Sequence, residues 1–255
     1  MQLAEQVLQA HGGGPLWRTM SRFTAHVSIG GALLPPPNGQ PPTSPYVTVG
    51  GYRLAVPQSR PTVRGMVMEG ETDRPFVRMF GTSHLDRYAI YTPGHTEFRN
   101  MSDRLIEAQD NPLAAMQNRS SLLAPGALDR VFLYGSLVWS AVVGPFVLEC
   151  GATSEEIAPS QGSSHLRQLR IESPKSLDPL TPVRTLHIDS LGLARRAHFE
   201  LRPFLQGPVA DTLSAYGVFD GITMPTLRRL QALSPDGTID ATPLIDIEIF
   251  DVQFS

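Results

Sequence analysis

The sequence predicts a mainly β protein, in which a single curled antiparallel sheet of about ten strands forms a half-barrel. Short runs of alternating apolar and polar residues, separated by glycine and proline, recur through both halves of the chain. Such runs are typical of antiparallel strands. Strands and helices do not alternate regularly, which argues against a parallel sheet. An uncharged segment in mid-chain predicts a plug helix inserted in the sheet, and a short amphipathic segment predicts an N-terminal helix.

The first half of the chain opens with the short helix, residues 3–10, which three consecutive glycines from Gly12 bring to an end. Residues 21–31 alternate in the manner of a half-buried strand. Residues 33–45 are rich in proline, which removes backbone donors, so this segment is predicted to be an exposed loop. Short runs between residues 46 and 92 then predict a meander.

The second half of the chain is predicted to be a succession of hairpins. A polar segment, residues 100–125, comes first and predicts short helical pieces and loop. Strand-like runs fill residues 165–254, and Asp220-Gly221 marks a hairpin because the glycine accepts a positive φ. A turn at Ser190-Leu191-Gly192 would place the residues around His187 beside those around His198.

Residues 131–148 contain no charged side chain, and a stretch of that length is about the minimum for a membrane-spanning helix. Residues 127–143 are apolar on all sides, as expected of a helix surrounded by protein. Gly144-Pro145 would break the helix before it crossed a bilayer. We therefore predict that residues 127–148 form a buried plug helix, with one face lining a hydrophobic pocket, and not a membrane span.

Composition narrows the class of protein. The chain has 255 residues and a net charge of −3 without a basic stripe, which argues against nucleic-acid binding. We expect one half-barrel domain over residues 1–255, and the sequence leaves a homodimer open. Cys150 is the single cysteine and is interpreted as a buried apolar residue, so a cysteine-based zinc site is excluded. The first residues do not form a secretory signal, which predicts a cytoplasmic protein.

Motifs that bind metals, nucleotides or dinucleotides do not occur, so neither a metal nor a cofactor is expected. The run from His11 to Gly14 matches the oxyanion loop of some α/β-hydrolases. The Gly-x-Ser-x-Gly motif that accompanies that loop is missing, and the glycines are better explained as a helix stop.

Two histidines are the candidates for acid–base catalysis. His198 shares the polar face of its predicted strand with Glu200, so the pair could form a general acid–base group. The alternative is a solvated outer face with cross-strand ion pairs. His84 lies two residues before Asp86, where a local turn hydrogen bond is the alternative to catalysis.

Aromatic and basic residues are the candidates for ligand binding. An aromatic ring with a polar tip suits a flat hydrophobic molecule, and core packing is the alternative for Tyr134 and Trp139. The candidates are Tyr134 and Trp139 on the plug helix, Phe146 just after it, and Tyr216 and Arg228 on neighbouring strands.

The order of the motifs resembles a known group of bacterial proteins. Trp17-Arg18, the segment "LDRVFLYGSLVWSAVVGPF", "HIDSLGLARR", "YGVFDGITMPTLRR" and the closing "IDIEIFDV" carry the resemblance. The group is related to the LolA-like lipoprotein carriers and to the violacein-pathway enzyme VioE. The resemblance implies an antiparallel half-barrel whose hollow is capped by helices and binds hydrophobic molecules. VioE is intracellular and needs neither metal nor cofactor, which makes it the closer functional analogy.

Two functions are consistent with the sequence. The first is that of a cofactor-independent biosynthetic enzyme that cyclises, isomerises or rearranges a hydrophobic small molecule. The second is that of a non-catalytic carrier or sensor of lipids or other hydrophobic ligands. A titratable group that faces the hollow would favour catalysis, and an unbroken apolar lining would favour transport.

Overall fold

The computed structural model describes residues 2–32, 46–49, 52–55, 63–81, 86–117, 125–158, 165–205 and 207–255. The predicted proline-rich loop, residues 33–45, and the candidate His84 lie outside the described residues.

One antiparallel sheet of thirteen strands dominates the fold, which confirms the predicted mainly β class with more strands than expected. In chain order its strands are β1 Arg22–Gly30, β4 Val63–Glu71, β5 Val77–Phe80, β6 Arg87–Thr92, β7 His95–Asn100, β8 Leu105–Asp110, β9 Thr153–Ile157, β10 Arg167–Glu172, β11 Val183–Ile188, β12 Ala194–Glu200, β13 Pro208–Phe219, β14 Ile222–Ala232 and β15 Ile245–Phe254. Strands β2 Tyr46–Val49 and β3 Tyr52–Ala55 form a separate hairpin. Across the large sheet the order is β8-β7-β6-β5-β4-β1-β15-β14-β13-β12-β11-β10-β9.

Both predicted hairpins form as expected. Asp220 and Gly221 adopt φ values of 49° and 84°, which is the left-handed pair that a two-residue turn between β13 and β14 requires. Between β11 and β12, Thr185 pairs with His198, and His187 pairs with Arg196.

The polar segment 100–125 differs in part from its prediction. Residues Leu105–Asp110 form the edge strand β8, where the sequence predicts helical pieces and loop. A short helix, α3 Pro112–Gln117, follows. The side chains of the strand are mostly exposed, so it lacks the apolar alternation that a buried face imposes and that identifies a strand in a sequence.

The helices occupy the predicted places. The N-terminal helix is α1 Leu3–Ala10, and a short turn of helix, α2 Gly14–Trp17, comes after it. The long helix is α4 Ala127–Val143, and the 3-10 helix Gly144–Cys150 continues it. Gly144 adopts a φ of 51°, which ends α4 at the predicted break.

Helix α4 is a core helix. Ala127–Cys150 is long and apolar enough to cross a membrane by length and composition, but 89% of its most apolar window is buried inside the fold. At its start, the Asp129 carboxylate accepts a hydrogen bond of 2.7 Å from the Gly126 N–H and so satisfies one terminal amide. The segment of uncharged residues is therefore explained by burial in protein.

The contacts of α4 reach strands that are far apart in the sheet. Gly135 lies against the Tyr91 ring of β6, where a Cβ atom would overlap the ring. Ser140, little more than one turn further along, bonds to Arg184 of β11. Strands β6 and β11 are eight places apart in the sheet order, which in a flat sheet would be roughly 38 Å. Because a helix is only about 10–12 Å wide, these contacts support the predicted curl of the sheet.

Candidate functional site

A small cavity lies where the end of α4 meets strands β11 to β14 and the end of α1. Its volume is about 40 Å³, enough for a group of a few heavy atoms. Its apolar wall comes from Ala141, Pro145, Leu186, Ala197, Leu213 and Pro225. Its polar side chains are His11, Ser140, Arg184, Tyr216 and Arg228. Two of the predicted ligand-binding residues, Tyr216 and Arg228, therefore line the same cavity.

Arg184 is a buried charge in the cavity wall. Its Nη1 donates to Ser140 Oγ at 2.7 Å, and its Nη2 donates to Asp178 Oδ2 at 2.9 Å. Asp178 is itself fixed, since it accepts bonds of 2.8 Å from both the amide and the hydroxyl of Thr181. Arg184 Nε has no hydrogen-bond partner among the described residues, although the atom is buried. Arg184 thus offers one unused, charge-assisted donor.

A second buried ion pair supports the cavity from the neighbouring strands. Arg228 on β14 donates from Nε to Asp211 Oδ2 at 2.9 Å, and its Nη2 donates to the same oxygen. Asp211 on β13 is 0% exposed. Burial raises the pKa of its carboxyl, against the opposing attraction of Arg228. With Arg184 and Asp178, the cluster contains two cations and two carboxylates.

His11 lines the cavity and has one ring nitrogen without a hydrogen-bond partner among the described residues. Its Nδ1 lies 2.7 Å from the carbonyl oxygen of Thr223, and because a carbonyl only accepts, Nδ1 carries the proton. Nε2 is then an acceptor, and within the described part of the chain it has no partner. The residue is 2% exposed. Burial lowers the pKa of His11, so the imidazole is neutral at neutral pH.

Tyr216 closes the side of the cavity next to His11. The two rings meet edge to face with centroids 5.9 Å apart. The Tyr216 hydroxyl donates to the carbonyl oxygen of Ala194, and burial raises the pKa of the phenol. The hydroxyl is therefore engaged with the backbone, and the ring is the part of Tyr216 that a ligand would contact.

The three aromatic candidates of the helical segment lie in the core, outside this cavity. Trp139 is 1% exposed, and its Nε1 donates to the carbonyl oxygen of Glu71 at 2.8 Å. Phe146 stacks on Trp17 with ring centroids 4.4 Å apart. Tyr134 is buried, and burial raises the pKa of its hydroxyl to about 12. The helix reaches the cavity instead through Ser140, Ala141 and the break at Gly144.

His198 belongs to a different feature, a pair of histidines on β11 and β12. His187 Nε2 lies 3.1 Å from His198 Nδ1. Burial is the main reason that the pKa of both imidazoles is lowered to about 4. The charge of His198 and then that of Arg196 also lower the pKa of His187, and the charge of Arg196 does so for His198. Glu200 is exposed and forms an ion pair of 3.0 Å with Arg202. None of these residues lines the cavity, and the predicted catalytic role of His198 and Glu200 stays a prediction.

The histidine pair predicts a loss of stability in acid. Unfolded histidine has a pKa of about 6.5, above the folded value of about 4, so the unfolded chain binds more protons between those pH values. The free energy of unfolding should therefore fall as the pH drops from about 6.5 to about 4, by up to roughly 3 kcal/mol for each histidine and by less where solvent screens the charge. Urea denaturation at a series of pH values measures this. A double variant, His187→Gln with His198→Gln, should lose that part of the pH dependence; an unchanged profile would contradict the assignment.

Sequence reasoning missed Arg184, Asp211 and His11 as site residues. A signal existed for the first two, since each is a charged residue on the apolar face of an alternating strand. Arg184 precedes Leu186 and Ile188 on that face, and Asp211 lies between Val209 and Leu213. His11 carried no such signal, because its contact with Thr223 joins residues 212 positions apart. In the described residues, His, Cys, Asp and Glu do not form a cluster of three or more that could hold a metal ion.

Comparisons with known proteins agree on the fold. No protein-family model and no curated protein sequence matches the chain. A domain named for outer membrane lipoprotein sorting, from Vibrio parahaemolyticus, has a similar crystal structure. The two are 9% identical with a TM-score of 0.50, and the match covers 99% of this chain and 91% of that one.

Two further crystal structures match the chain with TM-scores below 0.5. A LolA superfamily protein from Nitrosomonas europaea is 9% identical with a TM-score of 0.48, over 99% of this chain and 93% of that one. A DUF1329 family protein from Desulfovibrio piger is 10% identical with a TM-score of 0.45, over 99% and 92%. Identities this low concern the fold alone. The predicted resemblance to the lipoprotein carriers is confirmed as a likeness of fold by the match to the domain from Vibrio parahaemolyticus.

Proposed function

We propose that this protein binds a hydrophobic small molecule at the cavity between the end of α4 and strands β11 to β14, and acts on it as a cofactor-independent acid–base enzyme. The observation that carries the proposal is His11 Nε2, a buried acceptor without a partner among the described residues, on a side chain that lines a largely apolar cavity. A buried imidazole that is neutral at neutral pH is suited to take a proton. The proposal assigns that proton transfer to His11.

The surroundings of His11 fit a base that has to act repeatedly in one orientation. Its Nδ1–H is held by the Thr223 carbonyl at 2.7 Å, and its own carbonyl accepts from the Thr223 amide at 3.0 Å. These two bonds fix the ring at the junction of α1 and β14. A base whose second nitrogen is held in this way keeps one tautomer, as acid–base catalysis requires.

Size restricts how the ligand binds. The cavity of about 40 Å³ accommodates the reacting group and not a whole hydrophobic molecule. The remainder of the ligand has to extend out of the cavity or displace part of its wall. Gly144 lines the cavity at the end of α4 and has a φ of 51°. A glycine can change its backbone conformation at low cost, so we propose that the wall moves here.

Transport of a hydrophobic ligand is the second candidate function. The apolar wall from Ala141, Pro145, Leu186, Ala197, Leu213 and Pro225 favours it. The protein of similar fold from Vibrio parahaemolyticus is named for lipoprotein sorting, which supports a hydrophobic ligand in both candidate functions. The two differ in whether the bound molecule leaves unchanged.

An assay on mixed metabolites separates the two functions. Purified protein is incubated with a small-molecule extract of bacterial cells, without added metal or nucleotide, and the compounds are followed by mass spectrometry. We expect at least one compound to be converted catalytically, and His11→Asn to slow the conversion about 100-fold. Asparagine can keep the bond to the Thr223 carbonyl while it removes the second ring nitrogen, Nε2.

The control variant is His26→Asn, at an exposed histidine on β1, and it should behave as the wild type. A compound that is withdrawn in stoichiometric amount and recovered unchanged after denaturation would support transport and contradict catalysis. If no compound is converted or retained, both candidate functions are wrong.

A further inference from the structure

We propose that the substrate is a neutral, hydrophobic carbonyl compound with an acidic C–H next to the carbonyl, and that Arg184 Nε–H receives its oxygen. This inference rests on the proposed function, because it requires His11 to act as the base. It names the chemical class of the substrate and assigns Arg184 a role in stabilising the charge that develops on it.

The two polar atoms without partners define what the cavity can bind. Arg184 Nε–H is a donor and His11 Nε2 is an acceptor, neither has a partner among the described residues, and both side chains line the same cavity of about 40 Å³. A ligand group that satisfies both needs an oxygen that accepts and a hydrogen that can be given up. A carbonyl group and its neighbouring C–H provide these two features on adjacent atoms.

The donor on Arg184 is firmly fixed. The Arg184 side chain is 7% exposed, and its other two nitrogens are held by Ser140 on α4 and by Asp178. A buried charged donor that lacks an acceptor carries a desolvation cost. A donor that is fixed before the reaction, and that contacts the oxygen on which negative charge develops, stabilises that charge without reorganisation.

The charge balance of the site favours a neutral substrate. Arg184 is paired with Asp178 at 2.9 Å, and Arg228 is paired with Asp211, so the buried cluster has no net charge. A carboxylate would add an uncompensated negative charge to this low-dielectric site. A carbonyl compound adds none, and the ion pair formed during the reaction is itself neutral.

The proposed step transfers one proton. His11 Nε2 removes the proton from the carbon next to the carbonyl, and the C–H bond breaks. Its electron pair forms the new C=C bond, while the π electrons of the C=O bond move to the oxygen. The enolate oxygen then accepts the Arg184 Nε–H bond, and His11 becomes an imidazolium. Return of the proton to the same or another carbon completes an isomerisation, with no oxidant or reductant required.

The test is hydrogen exchange into probe ketones in D₂O, followed by NMR. The probes are 2-decanone and β-tetralone, and the corresponding alcohols serve as ligands that bind without exchangeable C–H groups. The full chain should catalyse deuterium incorporation next to the carbonyl of at least one ketone. His11→Asn should lower that rate about 100-fold, and Arg184→Lys, which keeps the charge but moves the donor, should lower it by a similar factor.

The same substitution at another arginine is the matched control, because it tests whether the effect depends on the position of Arg184. Arg170→Lys, at a partly exposed arginine on β10, should leave the exchange rate unchanged. Thermal unfolding of each variant shows whether it is folded, and binding of the alcohol β-tetralol shows whether its cavity is intact. An Arg184→Lys protein that binds the alcohol normally but loses exchange supports the assignment of the donor.

The outcomes distinguish this inference from the proposed function. Binding of ketones and alcohols without any catalysed exchange would overturn the carbonyl inference and leave ligand binding standing. Tighter binding of decanoate than of 2-decanone would overturn the argument for a neutral substrate. If the wild-type protein binds none of the probes, the inference is wrong and the assay on mixed metabolites alone judges the proposed function.

Discussion

Replacement of Trp139 by alanine should lower the free energy of unfolding by about 3–5 kcal/mol. The ring is 1% exposed, and it is among the largest fully buried side chains in the described residues. Its removal leaves a cavity between α4 and the sheet. It also removes the bond of 2.8 Å to the Glu71 carbonyl, which joins α4 to β4. Urea denaturation followed by far-ultraviolet circular dichroism measures the loss.

Trp139→Phe is the control that separates the two contributions. It keeps most of the buried ring but lacks the N–H, so the expected loss is only about 1–2 kcal/mol. Both tryptophans, Trp17 and Trp139, are almost fully buried, so iodide should quench the native fluorescence weakly. A loss below about 1 kcal/mol for Trp139→Ala, or ready quenching by iodide, would contradict the placement of this helix in the core.

Replacement of Asp211 by asparagine should cost about 3–5 kcal/mol of stability. The change leaves the Arg228 guanidinium buried beside a neutral amide, without the carboxylate that accepts two of its N–H groups. Arg228 is 6% exposed, so bulk water has little access to the guanidinium. Denaturant unfolding at neutral pH gives the difference from the wild type.

The matched variant replaces both partners, Asp211→Val with Arg228→Met. Two apolar side chains of similar volume remove the buried charges together, and the stability should recover to within about 1 kcal/mol of the wild type or exceed it. A stable double variant without ligand binding would show that the ion pair is retained for the site and not for the fold. An Asp211→Asn protein as stable as the wild type would contradict the buried pairing.

The parts of the fold that can be predicted from the sequence are those with a strong local signal. The left-handed pair at Asp220 and Gly221 is predictable because only certain residues adopt positive φ in a two-residue turn. The buried helix is predictable from residues 131–148 because an uncharged run of that length is typical of a helix enclosed by protein or by a membrane. The break at Gly144-Pro145 then favours the protein interior.

The two edge strands are much harder to predict. Leu105–Asp110 and Thr153–Ile157 are exposed at almost every position. Neither has a buried face, so neither has the alternation that identifies an inner strand. They pair with β7 and β10 through backbone hydrogen bonds. Such bonds cannot be predicted from the pattern of apolar and polar side chains.

The candidate site can be predicted only in part, for a related reason. Tyr216 and Arg228 are candidates by their residue types and their places on neighbouring strands. The cavity also needs His11 from the end of α1 and Arg184 from β11. These residues lie together only because the sheet brings distant segments of the chain into contact. The local sequence pattern therefore does not predict the cavity.

The strand order has a consequence for how the protein is made. The middle of the sheet is the pair β1 and β15, in which Phe23 faces Phe254. On the ribosome, residues 22–30 emerge early, but their partner, residues 245–254, is synthesised more than two hundred residues later. Until then β1 has β4 on one side only, and its other edge is open to pairing with other chains. Such a nascent chain should fold slowly and depend on chaperones during synthesis.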